Sequence, residues 1–329
     1  MDVEGVQVVF CITRHQQEES PQYDNSIWYW KQGIPKAVMK VNNQSSVVAA
    51  RLLLSGIVNF SDNGRYIQFG LEPVPDLRKP SSPTSVYGSI LLNVWSTQDT
   101  LLQCLQANAN PQLRTVIMNN ETGQFTVLKD FEELRQVIGD IAVILKRNKT
   151  AYGDRFWETD YRMDSCWLLS LKNNTRDYLS SGEEFGSRFY FVSPSNNYVV
   201  YFDPVKCHYF SYNLRNGKRV RISAHVPDGK LGFRGFDRPT NEKSNYAAGI
   251  AGWIKDDKGL LVYDNFDIWL LDLTGRKRPI NVTNGEGEIS STLFCLLNGD
   301  RGINGNQVFS ANETLLLKTF NSKNKYSGY

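Results

Sequence analysis

Apolar and polar residues alternate with a period of two along most of this chain. Asp267 to Gly275, DIWLLDLTG, shows the pattern in miniature: an alternating apolar run enters a tight polar turn that ends in glycine. The form recurs in DIWLLDLTGRKRPINVT (Asp267 to Thr283), SCWLLSLKNNTRDYL (Ser165 to Leu179), YFSYNLRNGKRVRI (Tyr209 to Ile222), NSIWYWKQGIPKAVMKV (Asn25 to Val41) and RTVIMNNETGQFTVL (Arg114 to Leu128). Each reads as two strands around a turn rich in Gly, Asn or Lys, so each predicts a β-hairpin.

A second unit precedes most of the hairpins. NFSDNGRYIQF (Asn59 to Phe69), VSPSNNYVVYF (Val192 to Phe202), IKDDKGLLVY (Ile254 to Tyr263) and FSANETLLL (Phe309 to Leu317) share a Ser or Lys, a polar turn and then an apolar strand. Asn and Gly tolerate the positive φ that such turns demand. Together the two units give four strands in roughly 45–65 residues, the signature of a β-propeller. One blade cannot bury both faces alone, so neighbours must stack. The expectation is an all-β propeller segment of about five to six four-stranded antiparallel blades, incomplete at both ends. The approximate blades are 1–45, 46–130, 135–185, 186–245, 246–288 and a partial one over 289–329. The first enters mid-blade at Val6 to Thr13, which points to a natural N-terminus upstream, and the last stops at Phe320 without a closing hairpin.

Two segments break the pattern. TQDTLLQCLQA (Thr97 to Ala107) and DFEELRQVI (Asp130 to Ile138) read as short helices, the second with Asp130 as N-cap and Glu133 at capping-box spacing. Pro73 to Pro83 and Val226 to Ser244 read as loops on one rim.

Composition narrows the function classes. The chain has 329 residues, 41% apolar and 22% charged, with aromatics at 12%, so a strand-rich globular fold is expected. Its 37 basic and 34 acidic side chains leave a net charge of +3, too weak a field to predict nucleic-acid binding. Lys218-Arg219-Val220-Arg221 and Arg276-Lys277-Arg278 each follow a turn glycine. They read as solvated strand ends, with a phosphate or acidic-partner site as the sharper alternative. Cys11, Cys104, Cys166, Cys207 and Cys295 are scattered, lack zinc-type spacing and read as buried free thiols. No run is long enough to span a membrane as a helix, and MDVEGVQVVFCITRH lacks the parts of a signal peptide.

Motifs for chemistry are sparse. The sequence contains no Gly-x-Ser-x-Gly, no phosphate loop and no His-Glu-x-x-His. Of the histidines His15, His208 and His225, His208 adjoins Cys207 in a strand, where neighbours point to opposite faces and cannot share a metal. A structural role is expected for all three, and neither a metal nor a cofactor is called for. The remaining candidates are carboxylate pairs: Glu183-Glu184 between two blades, and Asp256-Asp257 and Glu286/Glu288 in turns. Such pairs can hold an ammonium or do acid/base work, although solvation or turn capping is the commoner role.

The run YAAGIAGWIKDDKGLLVYDNFDIWLLDLTGRKRPINVTNG (Tyr246 to Gly285) resembles the propeller of bacterial proteins in the prolyl oligopeptidase family, serine peptidases that include dipeptidyl and acylaminoacyl peptidases. SILLNVWSTQDTLLQCLQ, from Ser89 on, and FNSKNKYSGY at the end are similar to further stretches of that family. The resemblance implies a propeller followed by a C-terminal α/β-hydrolase domain beyond residue 329, which holds the Ser, Asp and His. None of these is carried over, so the chain is not expected to hydrolyse peptides by itself. In dipeptidyl members a propeller glutamate pair binds the substrate's free amino terminus, and Glu183 and Glu184 stand in a loosely similar arrangement ahead of Ser193-Pro194. The implied partners are the protein's own hydrolase domain and short peptides. The resemblance also suggests export to a periplasmic or secreted location.

Three readings follow. The chain is a non-catalytic propeller that gates entry of short peptides to a hydrolase domain; or it is a stand-alone binding scaffold; or it is a glycosidase-like propeller, which needs inward carboxylates from several blades.

Overall fold

The structure is a computed structural model that describes residues 5–15, 23–48, 52–61, 63–74, 113–146, 163–183, 190–203, 206–234, 245–297 and 307–329. It is built almost wholly of antiparallel strands and divides into two compact units. No helix among the described residues is long and apolar enough to cross a membrane.

The first unit comprises 1–159 and 167–177. Strands β1 (Gln7–His15), β2 (Tyr23–Lys31) and β3 (Val38–Asn42) form a three-stranded sheet. Strands β4 (Leu52–Phe60), β5 (Tyr66–Pro73), β6 (Arg114–Asn119) and β7 (Phe125–Val127) form a four-stranded one in chain order. Strands β8 (Glu132–Ile138), β9 (Ile141–Lys146), β10 (Met163–Ser170) and β11 (Arg176–Glu183) form another, again with each strand beside the next, and the division between the units falls within β10 and β11. This up-and-down order is that of propeller blades.

The second unit repeats the plan. Strands β12 (Phe191–Val192), β13 (Tyr198–Asp203), β14 (His208–Asn213) and β15 (Arg219–Arg221) make one four-stranded sheet. Strands β18 (Ile250–Ile254), β19 (Gly259–Tyr263), β20 (Ile268–Leu271) and β21 (Ile280–Asn281) make the next, between the hairpin β16 (Gly232–Arg234)–β17 (Asn245–Ala247) and a short helix, α1 (Glu286–Ser290). A fifth strand, β23 (Val308–Phe309), joins that sheet parallel to β18. Strands β22 (Thr292–Leu296), β24 (Leu317–Asn321) and β25 (Ser327–Gly328) form the last, three-stranded sheet.

Period-two alternation becomes burial on both faces of the central strands. On β19, Leu260 and Val262 join a core with Val200, Tyr209 and Trp253, while Leu261 and Tyr263 join another with Ile268, Cys295 and Leu296. On β5, Ile67, Phe69 and Leu71 pack with Val9, Ile27 and Val41, whereas Tyr66 packs with Ile117, Val137 and Ile144. Each buried aliphatic side chain contributes about 1.5–3 kcal/mol, so sheets with two apolar faces must be covered on both. That need is what stacks them.

The hairpin turns share one mechanism. Asn119, Asn213 and Asn321 each cap their own turn, with the side-chain oxygen accepting from backbone N–H two and three residues on. Four residues after each stands a positive φ, at Gly123 (71°), Gly217 (68°) and Lys325 (64°), and Asn174 (58°) fills the same place after Ser170. The Asn321 turn joins β24 to β25, so the last sheet does have a closing hairpin where the sequence pattern predicts none.

Three other expectations fare differently. The helix over 130–138 is instead strand β8. Phe131 takes a positive φ of 67°, and Gly139 opens a two-residue hairpin loop that pairs Ile138 with Ile141. The apolar strand β9 supplies a pairing partner that outweighs the local capping-box signal. The stretch 226–244, read as loop, contributes β16 to a small sheet. The helix over 97–107 lies outside the described residues.

Candidate functional site

Glu183 is the last residue of β11. Its side chain and all of Glu184 lie outside the described residues. The other expected clusters can be placed, and of their four carboxylates Asp257 is the buried fastening.

Asp256 and Asp257 both adopt positive φ, 63° and 54°, in the β18–β19 turn. Asp256 is exposed and sits 3.6 Å from the Lys258 ammonium. Asp257 is buried, and its carboxylate accepts from the Ser193 hydroxyl (2.9 Å), the Ser195 N–H (3.1 Å) and the Asn197 side-chain amide (2.9 Å). It thus pins the β12–β13 turn to the sheet of β18 to β21. Ser193 in turn accepts from the N–H groups of Asn197 and Tyr198, which closes its own turn.

The first unit has a counterpart. Asp140, in the β8–β9 loop, accepts from Arg65 (2.7 Å), the Tyr66 hydroxyl (2.8 Å) and Lys172 (2.8 Å). Burial works against its charge, but the bonds from Lys172, Tyr66 and Arg65 prevail and lower its pKa to about 2. Burial and the same Asp140 push Tyr66 up to about 12.

The family-like stretch around Asp267 carries a third fastening. Asp264 and Asp267 are fully buried. Asp264 accepts from the N–H groups of Phe266 (2.7 Å) and Asp267 (2.6 Å) and from the Trp269 indole (2.8 Å). Asp267 accepts from the Thr283 hydroxyl (2.6 Å) and the Gly287 and Glu288 N–H groups (3.0 and 3.3 Å). A Cβ on Gly287 would come within 2.8 Å of Asp267 Oδ1, so glycine is required there. Glu286 and Glu288, expected in a turn, lie in α1, and Glu288 pairs with Lys230.

His208 completes the survey. It is buried, with Nδ1 2.9 Å from the Ser223 hydroxyl and Nε2 3.0 Å from an Asp228 carboxylate oxygen. Sequence reading did not find this Ser–His–Asp set, because its members come from β14 and the turns after β15. Its chemistry is closed off: Ser223 is 0% exposed and accepts from the Tyr209 N–H (3.0 Å), so no substrate carbonyl reaches Oγ. The role is structural, as expected for His208. His225 is exposed, and the His15 side chain lies outside the described residues. Cys166, Cys207 and Cys295 are buried free thiols and Cys11 is partly buried.

No family model matches the chain, and no curated protein matches it. Solved structures do. The β-propeller domain of the Trilobed protease from Pyrococcus furiosus is 11% identical, over 97% of this chain and 80% of that one, with a TM-score of 0.32. Pyrococcus horikoshii acylaminoacyl peptidase is 11% identical, over 97% of this chain and 48% of that one, at 0.33. Porphyromonas gingivalis dipeptidyl peptidase 4 is 10% identical, over 99% and 51%, at 0.36. Each is named as a peptidase or as a domain of a protease. The chain spans about half the length of the last two.

Proposed function

We propose that this chain is the non-catalytic propeller portion of a prolyl oligopeptidase family serine peptidase, which limits access of short peptides to a separate hydrolase domain. The observation that supports it best is the way the chain spends its reactive groups. The carboxylates of Asp140, Asp257, Asp264 and Asp267 fasten turns, the last three buried, and the one Ser–His–Asp set among the described residues has a sealed serine. Stacked sheets fastened at their turns make a rigid, unreactive body, which is what an entry filter requires. The sequence resemblance over Tyr246 to Gly285 names the kind of enzyme.

Two experiments test this reading. The coding sequence beyond Tyr329 should contain a Gly-x-Ser-x-Gly within a βα pattern; a stop codon there leaves a stand-alone scaffold. The isolated chain should not label with a fluorophosphonate, and labelling of Ser223 overturns the non-catalytic assignment. Within the same proposal, Glu183 and Glu184 pair with the substrate's ammonium group, because a buried unpaired charge is costly. Changing both to Gln in the full-length protein should lower kcat/KM several-fold on a free-amine dipeptide substrate and little on its N-acetylated form.

A further inference from the structure

The second unit contains a cleft of about 550 Å³, inside the range of ordinary ligand sites. Four turns from two sheets wall it: the β12–β13 and β14–β15 turns of one, and the β18–β19 and β20–β21 turns of the next. Its charges are unevenly committed. Asp257 is held by Ser193, Ser195 and Asn197. Asp272 accepts from the Thr274 hydroxyl (2.7 Å) and from the N–H groups of Thr274, Arg276 and Lys277 (3.2, 2.9 and 3.0 Å). Asp256 pairs with Lys258. No acidic group among the described residues pairs with the side chains of Arg215, Arg276 or Lys277, and all three are exposed. Asp257 and Asp272 are recessed and occupied; Arg215, Arg276 and Lys277 stand outward.

Their placement is fixed by the turns. Arg215 sits in the Asn213-capped turn and Arg276 and Lys277 in the Asp272-capped one, so the cations reach the cleft from two walls. Gly275 holds a φ of 66°, and a Cβ there would come within 2.2 Å of Val220, so that turn has little freedom.

We infer that this cleft, with Arg215 on one wall and Arg276 and Lys277 on the other, binds an acidic peptide segment. Cations contributed by two walls can together engage carboxylates distributed along a chain. The recessed Asp257 and Asp272 and the exposed Asp256 repel a continuous phosphate backbone but leave gaps that a peptide's neutral residues fill. Partly buried Tyr198 offers an apolar side to such residues. The inference is independent of the peptidase reading.

The test is fluorescence anisotropy with a labelled octapeptide bearing Glu at alternate positions. Competitors are inorganic phosphate, the matching Lys peptide and a short oligothymidylate. Binding should weaken about 10-fold between low and physiological salt, as exposed charges are screened. R215E/R276E/K277E should lose at least about 10-fold, and R215K/R276K should stay within about 3-fold, because charge carries most of the attraction. K323E/K325E, on the Asn321 turn that lines no part of the cleft, should change affinity by less than about 2-fold. An equal loss in K323E/K325E, an unchanged triple variant, or displacement by phosphate or oligothymidylate at lower concentrations than the unlabelled peptide overturns the inference. The variants should keep the wild-type melting temperature, since every changed side chain is exposed.

Discussion

Asp257→Ala probes the fastening between successive turns. The substitution removes one buried carboxylate and strands three donors: the Ser193 hydroxyl, the Ser195 N–H and the Asn197 amide. Hydrogen bonds to a charged group contribute about 1.5–3 kcal/mol each, but Ser195 and Asn197 are partly exposed and regain water. The latch is therefore worth about 3 kcal/mol. Alanine also inherits a φ of 54°, which adds about 1 kcal/mol. The expected loss is about 4 kcal/mol for Asp257→Ala. Asp257→Asn should lose only about 1–2 kcal/mol, because it keeps an acceptor oxygen and tolerates that backbone. Asp256→Ala is the control. It has the same kind of backbone, φ 63°, but an exposed side chain, so it should cost only about 1 kcal/mol. Urea denaturation followed by tryptophan fluorescence gives each value from the midpoint at constant m. If Asp257→Ala and Asp256→Ala lose the same amount, the three hydrogen bonds contribute nothing net and the latch is a coincidence of geometry.

Other changes have equally definite outcomes. Asp140 titrates near 2 in the fold against an ordinary 3.8. Its depressed pKa therefore stabilises above about pH 4, by about 1 kcal/mol once solvent screening of the exposed Arg65 and Lys172 is allowed for, and that is lost as pH falls through about 2; Asp140→Asn should lie that far below wild type at pH 7, with the gap closing in denaturation curves taken between pH 4 and pH 2. Trp253 is 2% exposed in the core between β14 and β19, so Trp253→Ala should cost about 3–5 kcal/mol in the same assay. Trp269 is only partly buried, and its removal should cost less. A Cβ on Gly252 would meet the Phe309 ring at 2.6 Å and the Gln307 carbonyl at 2.9 Å; Gly252→Ala should push β23 off β18, and hydrogen exchange of the Trp253 amide, now bonded to Gln307 (2.8 Å), should speed up at least about 10-fold.

What the sequence pattern reveals depends on the range of the forces involved. All five hairpins were legible because turn chemistry is local: Asn213 and Gly217 dictate their turn whatever lies around them. Two-faced burial was legible in GLLVY, where both alternate sets are apolar. Strand β8 was not, since DFEELRQVI carries a genuine capping-box spacing and only its pairing with β9 decides against a helix. Nor was β23, whose parallel partner lies more than fifty residues away. The fates of Asp256 and Asp257 were invisible for the same reason. Adjacent and chemically identical, they separate into a solvated and a buried carboxylate through contacts with the preceding sheet. The cationic cleft was half visible, as the basic run after Gly275; its opposite wall, Arg215, is known only once the two turns meet.

These same facts bound what the family-like stretch can mean. Within it Asp264, Asp267 and Trp269 are each used internally: the indole bonds one aspartate, and the other anchors the start of α1. A motif whose side chains are consumed by the fold transmits architecture. It specifies how strand β19 turns into β20 and how the chain leaves the sheet. Binding through the cleft depends instead on exposed turn side chains such as Arg215 and Arg276. A swap makes the distinction measurable. Asp264→Asn should unfold or loosen the sheet, and so lower the midpoint of denaturation, while R215E/R276E/K277E should leave the midpoint in place and change only what binds. If instead Asp264→Asn left stability untouched, the corner would be free to serve a ligand and the stretch would have to be read as a site.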